Sequence, residues 1–292
     1  MEIIRSNTIQ CVFFGEDGFS VDVLRSIIDS KLNVKILTAV SLIDGSRASK
    51  KFKLFCKSRG IEIIQIVSTQ DEDFIDLMLQ YDYDFLISAH FKRLIPLKIV
   101  EKARIASLNL HPSLLPKYKG MSPQHWPLIL GECKTGVTVH HMMEEADTGD
   151  IIIQREININ ENMYVHELHQ AFIPVYKQIM VEAIYMVLNG HKGKPQKEGS
   201  GSYYPKICNE DMDLKRQLSV FDAYGRIRAF SFPYAGAFYK EYRIMEASIL
   251  SDTEFLSFCN ISSNDQIVFR GTRMYLLFKN GGLAVTRWMK KS

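Results

Sequence analysis

The strongest constraint on the fold is an alternation of two patterns along the first 110 residues. Apolar, β-rich runs at 9–14, 34–42, 61–66, 85–89 and 106–110 are separated by amphipathic stretches at 20–31, 50–59, 71–81 and 96–103. Short continuous apolar runs suit strands buried on both faces, and parallel strands need a crossover, usually a helix. The pattern predicts an α/β fold, a Rossmann-like, mostly parallel sheet with helices on both faces. A helix near 122–130, strands near 136–141 and 150–157, and a long helix over 163–188 continue it. The composition then shifts to Gly, Lys and Ser in NGHKGKPQKEGSGS, which reads as a linker. After it come a helix over 219–230 and short strand patterns. One of these is the hairpin MYLLFKNGGLAVTRW, with Asn280-Gly281 as its turn signal. The expected division is an α/β domain over 1–190, a linker over 191–202 and a smaller β-rich C-terminal domain over 203–292.

Within this frame SLNLHPSLLPKYKG, residues 107–120, looks like a site. Asn109 and His111 stand at i and i+2, so in a strand both side chains face the same way. Pro112 ends the regular pairing and leaves that pair at the carboxyl end of the strand, where open parallel sheets bind ligands. The next polar cluster, EEADTGDII, carries Asp147 and Asp150 around Thr148-Gly149 on a glycine-flexed loop. Asn, His and Asp offer an amide donor, a group titrating near neutrality and a carboxylate. Ser113 is not in a G-x-S-x-G elbow, so no covalent nucleophile is evident and the set suits direct acyl transfer. Taken singly, the His reads as a structural residue and the Asp as a turn or cap.

Other chemistries are excluded by what is missing. FGEDG lacks the three glycines of a dinucleotide fingerprint and places two acids where a pyrophosphate would lie. It reads as a tight turn capping the next helix. The five cysteines, Cys11, Cys56, Cys133, Cys208 and Cys259, are dispersed and include no CxxC, as expected of free thiols in a reducing cytoplasm. His140 and His141 would point to opposite faces of a strand and cannot chelate together, so no metal is expected. The first residues have too short an apolar run for a signal peptide, and no run of about 18 apolar residues is evident to span a bilayer. A net charge of +3 argues for no nucleic-acid partner.

The long stretch SLNLHPSLLPKYKG…SPQHWPLILGECKTGVTVHHMMEEADTGDII resembles the core of the 10-formyltetrahydrofolate-dependent formyltransferases, and ISAHFKRLIP is similar to that family's folate-side strand and loop. The resemblance covers most of residues 8–190. It implies 10-formyltetrahydrofolate as co-substrate, no metal, and catalytic roles for Asn109, His111 and Asp147. Folate contacts would fall on Arg93, Leu94 and Ile95 and on Met143, Glu144, Glu145, Ala146 and Asp147. Ser113, Leu114, Leu115 and Pro116 would shape the same cleft.

The family divides by the amine it formylates. Glycinamide ribonucleotide formyltransferases lack a second domain, and formyltetrahydrofolate hydrolases carry an extra domain before the core, whereas here the first strand is expected within ten residues of Met1. Transfer RNA formylating members carry a basic, glycine-rich insertion after the second strand. Here that region, SLIDGSRASKKFK, is short and lacks repeated Arg-Gly. IRAFSFPYAGAFY resembles a segment of sugar-formylating members, more loosely shared by the transfer RNA enzymes. Its Pro-Tyr-x-Gly-Ala-Phe run suits stacking on a base or, equally, packing of a buried loop. Relatives that formylate a sugar acid carry Arg after the Gly of KYKG; here Met121 follows Gly120, which favours a sugar without a carboxylate. The resemblance therefore implies a nucleotide-linked amino-deoxy sugar as acceptor, with a leaning to dTDP and a 4-amino-4,6-dideoxy sugar. Lys117, Tyr118, Met121, His125 and Tyr234 are candidate substrate contacts, and a cytoplasmic homodimer without membrane or nucleic-acid partners is expected. Methionyl-tRNA formyltransferase is the alternative, and a non-catalytic folate- or nucleotide-binding relative the second.

Overall fold

A computed structural model describes residues 8–197, 199–258 and 266–290. Met1–Asn7, on which the signal-peptide expectation partly rests, and Cys259 lie outside them. The chain divides into two compact units, the first formed by 1–120, 136–157 and 171–203 and the second by 121–135, 158–170 and 204–292.

The first unit carries the expected α/β sheet. Its first elements are β1 (Ile9–Gly15), α1 (Gly18–Ile28), β2 (Val34–Leu42), α2 (Arg47–Ser58), β3 (Ile63–Ile66), α3 (Glu72–Gln80), β4 (Phe85–Ala89), α4 (Leu97–Glu101) and β5 (Ala106–His111). The short β6 (Lys119–Gly120) and then α5 (Trp126–Ile129), which belongs to the second unit, precede β7 (Lys134–His141) and β8 (Ile151–Asn158) in the chain. Seven strands order as β3-β2-β1-β4-β5-β7-β8. The pairings among β1 to β5 are parallel, and β7 runs antiparallel to β5. Cys11, Val12, Phe13 and Phe14 of β1 are fully buried, as a central strand covered on both faces requires. The turn after β1 is a helix cap: Asp17 Oδ1 accepts from the Phe19 and Ser20 amides at 3.0 Å.

α6 (Val165–Leu188) is long and apolar enough by composition to cross a membrane, which corrects the expectation that no such stretch exists. Leu168, Phe172, Tyr176, Ile179 and Ala183, spaced three or four apart, are fully buried, and the exposed charges of Lys177 and Glu182 interrupt its apolar run, so one face of it packs in the core.

The residues after α6 are not all an unattached connection. Lys194 bridges to Ile151, the Gln196 amide donates to the carbonyls of Asp147 and Gly149 at 2.9 Å each, and the Ser202 hydroxyl accepts from the Tyr118 N–H at 3.0 Å. β9 (Tyr203–Tyr204) follows.

The second unit holds α7 (Asn209–Met212), α8 (Val220–Phe230), β10 (Ala237–Tyr239), β11 (Tyr242–Ile249), α9 (Asp252–Leu256), β12 (Ile267–Arg270), β13 (Arg273–Phe278) and β14 (Gly281–Lys290). Its sheet, β10-β11-β14-β13-β12, is antiparallel throughout. The β13–β14 turn falls one residue earlier than the Asn-Gly signal suggests: Phe278 pairs with Gly281, which leaves Lys279 and Asn280 as the loop. Asn280 is otherwise engaged, its Oδ1 accepting from the Val220 amide at 2.9 Å. Gly225 of α8 has no alternative residue, because a Cβ there would lie 2.7 Å from the Leu128 carbonyl oxygen and 2.8 Å from that of Ile129.

Candidate active site

The carboxyl end of β5, the strand-like end of β7 and the loop between β7 and β8 bring Asn109, His111 and Asp147 together within the first unit. Asp147 reaches them because its loop folds back tightly. Asp147 itself takes a left-handed φ of 59°. Gly149 lets the chain pass directly under β7, where any Cβ would collide with the His141 carbonyl.

Each oxygen of Asp147 is used. Oδ1 lies 3.3 Å from His111 Nδ1, 3.5 Å from His140 Nε2 and 3.5 Å from Asn109 Nδ2. Oδ2 accepts from the Gly120 amide at 2.9 Å. Burial by itself would raise this carboxyl, but the His111 and His140 rings beside Oδ1 and the Gly120 N–H at Oδ2 outweigh it. Asp147 is therefore held well below the usual carboxylate range and is ionised at neutral pH.

His111 is fixed from its other side, where Nε2 donates to the Tyr118 carbonyl at 2.7 Å. Burial pushes its pKa below the ordinary histidine value, against the opposing pull of Asp147 and the Tyr118 carbonyl. The neutral ring so favoured has its proton on Nε2 and a vacant Nδ1 facing the carboxylate. Such a site can take one proton and keep it beside a counter-charge.

The SLLP loop is anchored by groups the sequence reading did not single out. The buried Thr138 hydroxyl donates to the Ser113 carbonyl at 2.7 Å and accepts from the Leu115 amide at 3.1 Å. Gln154 donates to both Thr138 Oγ1 and the Leu115 carbonyl at 2.8 Å. Gly136 leaves room for Leu114, whose Cδ2 a Cβ there would meet at 2.5 Å. Period-two alternation along Gly136, Thr138 and His140 is a signal that could have found this face. For Gln154 and Gln196 the sequence holds none.

The remaining candidates separate into groups. Ser113 and Leu115 are buried, and Ser113 Oγ donates to the Lys117 carbonyl at 2.7 Å, so these residues shape the loop from within. Pro116 follows a cis peptide bond. Ile95 packs into the core beside Ile99, whereas Arg93, Glu144 and Glu145 are exposed and Ala146 is half-buried. Leu94 and Met143 each expose 61% of their surface. Lys117 is exposed, and Tyr118 is buried with a left-handed φ of 61°. Met121, His125 and Tyr234 belong to the second unit, where the His125 ring lies 4.7 Å from Tyr234 and 5.7 Å from Phe230. Among the described residues no group of three or more His, Cys, Asp or Glu is placed to hold a metal ion.

Residues 10–184 match the formyl transferase family. The methionyl-tRNA formyltransferase of Clostridioides difficile is 31% identical over 210 residues, which cover 70% of this chain and 67% of that one. The corresponding enzyme of Thermodesulfovibrio yellowstonii is 30% identical over 243 residues, 80% of this chain and 77% of its own. Among solved structures, the fold is similar to that of WlaRD, a sugar 3N-formyl transferase with dTDP and 5-N-formyl-THF. The TM-score is 0.73 at 19% identity, covering 98% of this chain and 100% of that one. It is also similar to the Helicobacter canadensis N-formyltransferase in complex with folinic acid and dTDP-3-aminofucose, with TM-score 0.72, 19% identity, and 96% and 100% coverage. A family match across most of the chain's α/β unit, together with an ionised Asp147 beside a fixed His111 and Asn109, leads to one conclusion: the chain belongs to the formyl transferase family and is a formyl-transferring enzyme.

Proposed function

We propose that the enzyme transfers the formyl group of 10-formyltetrahydrofolate to the amine of a nucleotide-linked amino-deoxy sugar, with dTDP as the preferred nucleotide, in the cytoplasm and as a homodimer. In this reading the acceptor amine attacks the formyl carbon, and Asn109 donates to the oxyanion that forms. His111 Nδ1 takes the proton the amine loses and returns it to the departing folate nitrogen, while Asp147 balances the transient imidazolium. The exposed Leu94 and Met143 would flank the folate.

The observation that carries the acceptor is the connection between β2 and α2. β2 ends at Leu42 and α2 starts at Arg47, leaving only Ile43, Asp44, Gly45 and Ser46. Two of these are spent on local structure: Asp44 Oδ1 accepts from the Ser46 amide at 2.8 Å, and Ser46 Oγ caps α2. No basic, glycine-rich insertion of the kind that grips an acceptor stem fits there. The solved sugar enzymes with dTDP or a dTDP-sugar support the same acceptor class.

Initiator methionyl-tRNA is the second reading, favoured by the curated relatives at about 30% identity. A panel of nucleotide amino sugars bearing the amine on C3 or C4, run beside charged initiator tRNA with 10-formyltetrahydrofolate and read by product mass, decides between them. Formylation of a dTDP-amino sugar with inert tRNA is expected. Rapid formylation of the tRNA, falling steeply with salt as phosphate contacts require, with no sugar product, overturns the proposal.

A further inference from the structure

We propose that His140 is a positioning residue for formyl transfer: it locks the Asn109 carboxamide with its nitrogen facing inward, so that one amide hydrogen stays available to the oxyanion. The proposal rests on the reading of Asn109 as the oxyanion donor.

The geometry leaves little freedom. Asn109 and His140 are register partners across the antiparallel β5–β7 pair, so their side chains share a face. The His140 side chain is 2% exposed. Its Nδ1 lies 2.7 Å from the His141 carbonyl oxygen, which can only accept, so Nδ1 carries the hydrogen. In the neutral ring Nε2 then presents a lone pair, and it lies 3.2 Å from Asn109 Nδ2. Turning the carboxamide over would set its oxygen against this lone pair and against the ionised Asp147 at once. Both neighbours therefore demand the nitrogen.

The two amide hydrogens are held unequally. The one toward His140 has a partner at ordinary distance. The one toward Asp147 Oδ1 spans 3.5 Å, the outer limit of a hydrogen bond. That second hydrogen is the one an incoming acyl oxygen can claim without breaking a good bond. Without His140, the carboxamide keeps a reason to face Asp147 but loses the partner that engages its first hydrogen and fixes its plane.

Two measurements test this. In protein labelled with ¹⁵N-histidine, the resonances absent from His140→Phe identify His140; its neutral ring should be protonated at Nδ1 and bare at Nε2. An Nε2-protonated ring overturns the proposal. The second measurement uses the acceptor found in the amine screen. His140→Phe should lower kcat about 10-fold, in the range expected for a misplaced donor, with KM for the folate donor within about twofold. His140→Gln, which keeps an acceptor oxygen in reach of Asn109, should recover most of the rate. On an Asn109→Ala background, His140→Phe should cost less than about twofold, since its partner is gone. Equal losses on both backgrounds, or a lowered Tm with lost folinic acid binding, overturn the positioning role. If no acceptor is formylated, the proposed function fails while the tautomer measurement still decides this one.

Discussion

His111 Nδ1 lies 3.3 Å from Asp147 Oδ1 while the opposite ring nitrogen donates to the Tyr118 carbonyl at 2.7 Å. The ring is thus aimed from two sides, and its free nitrogen sits beside a carboxylate that stays ionised. A pair so arranged stabilises charge that appears only during reaction. Asp147→Asn should accordingly lower kcat about 100-fold or more while folinic acid affinity changes only a few-fold. Isothermal titration beside steady-state kinetics makes the comparison; parallel losses of affinity and rate would assign Asp147 to binding instead.

The pH profile follows from the same contact. Transfer needs His111 neutral, and burial places its pKa below the ordinary 6.5, so kcat should hold from neutrality downward and fall on an acid limb below that value. Asp147 pulls the His111 pKa upward; removing its charge should move the limb to still lower pH in whatever activity Asp147→Asn retains. A limb that moved upward in the variant would contradict the assignment of His111 as the proton acceptor.

Much of this was legible in the residues. The alternation of apolar and amphipathic runs foretold the parallel sheet, because strands buried on both faces cannot hide their composition. Asn109 and His111 announced themselves by sharing one strand face just before Pro112. What stayed hidden was the register between strands distant in sequence. His140 becomes Asn109's partner only once β7 turns antiparallel to β5, and no local pattern reports that reversal. Gln196, inside a stretch with linker composition, holds the Asp147 loop from 49 residues away, and glycine- and lysine-rich composition describes flexibility without revealing a docked amide.

Thr138 carries a heavier burden than its size suggests. Its buried hydroxyl serves the Ser113 carbonyl, the Leu115 amide and Gln154. Thr138→Val keeps the shape and strands these groups, at a cost of about 2–4 kcal/mol by the usual penalty for buried unsatisfied polar groups. Urea denaturation should show that loss as a lower midpoint with an unchanged slope.

Gly149→Ala should separate activity from stability. The added Cβ collides with the His141 carbonyl, and the simplest relief is to push the loop bearing Asp147 away from β7. Asp147 then loses its distances to His111 and Gly120, so kcat should fall about 10-fold or more, as a small misplacement of a catalytic group does. A Tm lowered by several degrees with kcat intact would mean that the strain is absorbed elsewhere.

His125 supplies a prediction about acid stability. Its Nδ1 is buried without a hydrogen-bond partner among the described residues, and burial pushes its pKa down to about 4 from the ordinary 6.5. The folded protein thus disfavours the protonated ring that the unfolded chain accepts freely. Stability from this site is full above about pH 6.5 and drains away as the pH falls toward 4. Asp17, whose carboxyl burial would raise but His90 and other partners lower to about 2, acts in a separate window, holding its contribution until the pH drops below the unfolded carboxylate value of 3.8. His125→Phe keeps an aromatic ring between Phe230 and Tyr234 and removes the titration. Thermal melts from pH 7 to 4 should show the wild-type Tm falling faster than that of the variant. Parallel curves would show that His125 takes up its proton without cost to the fold.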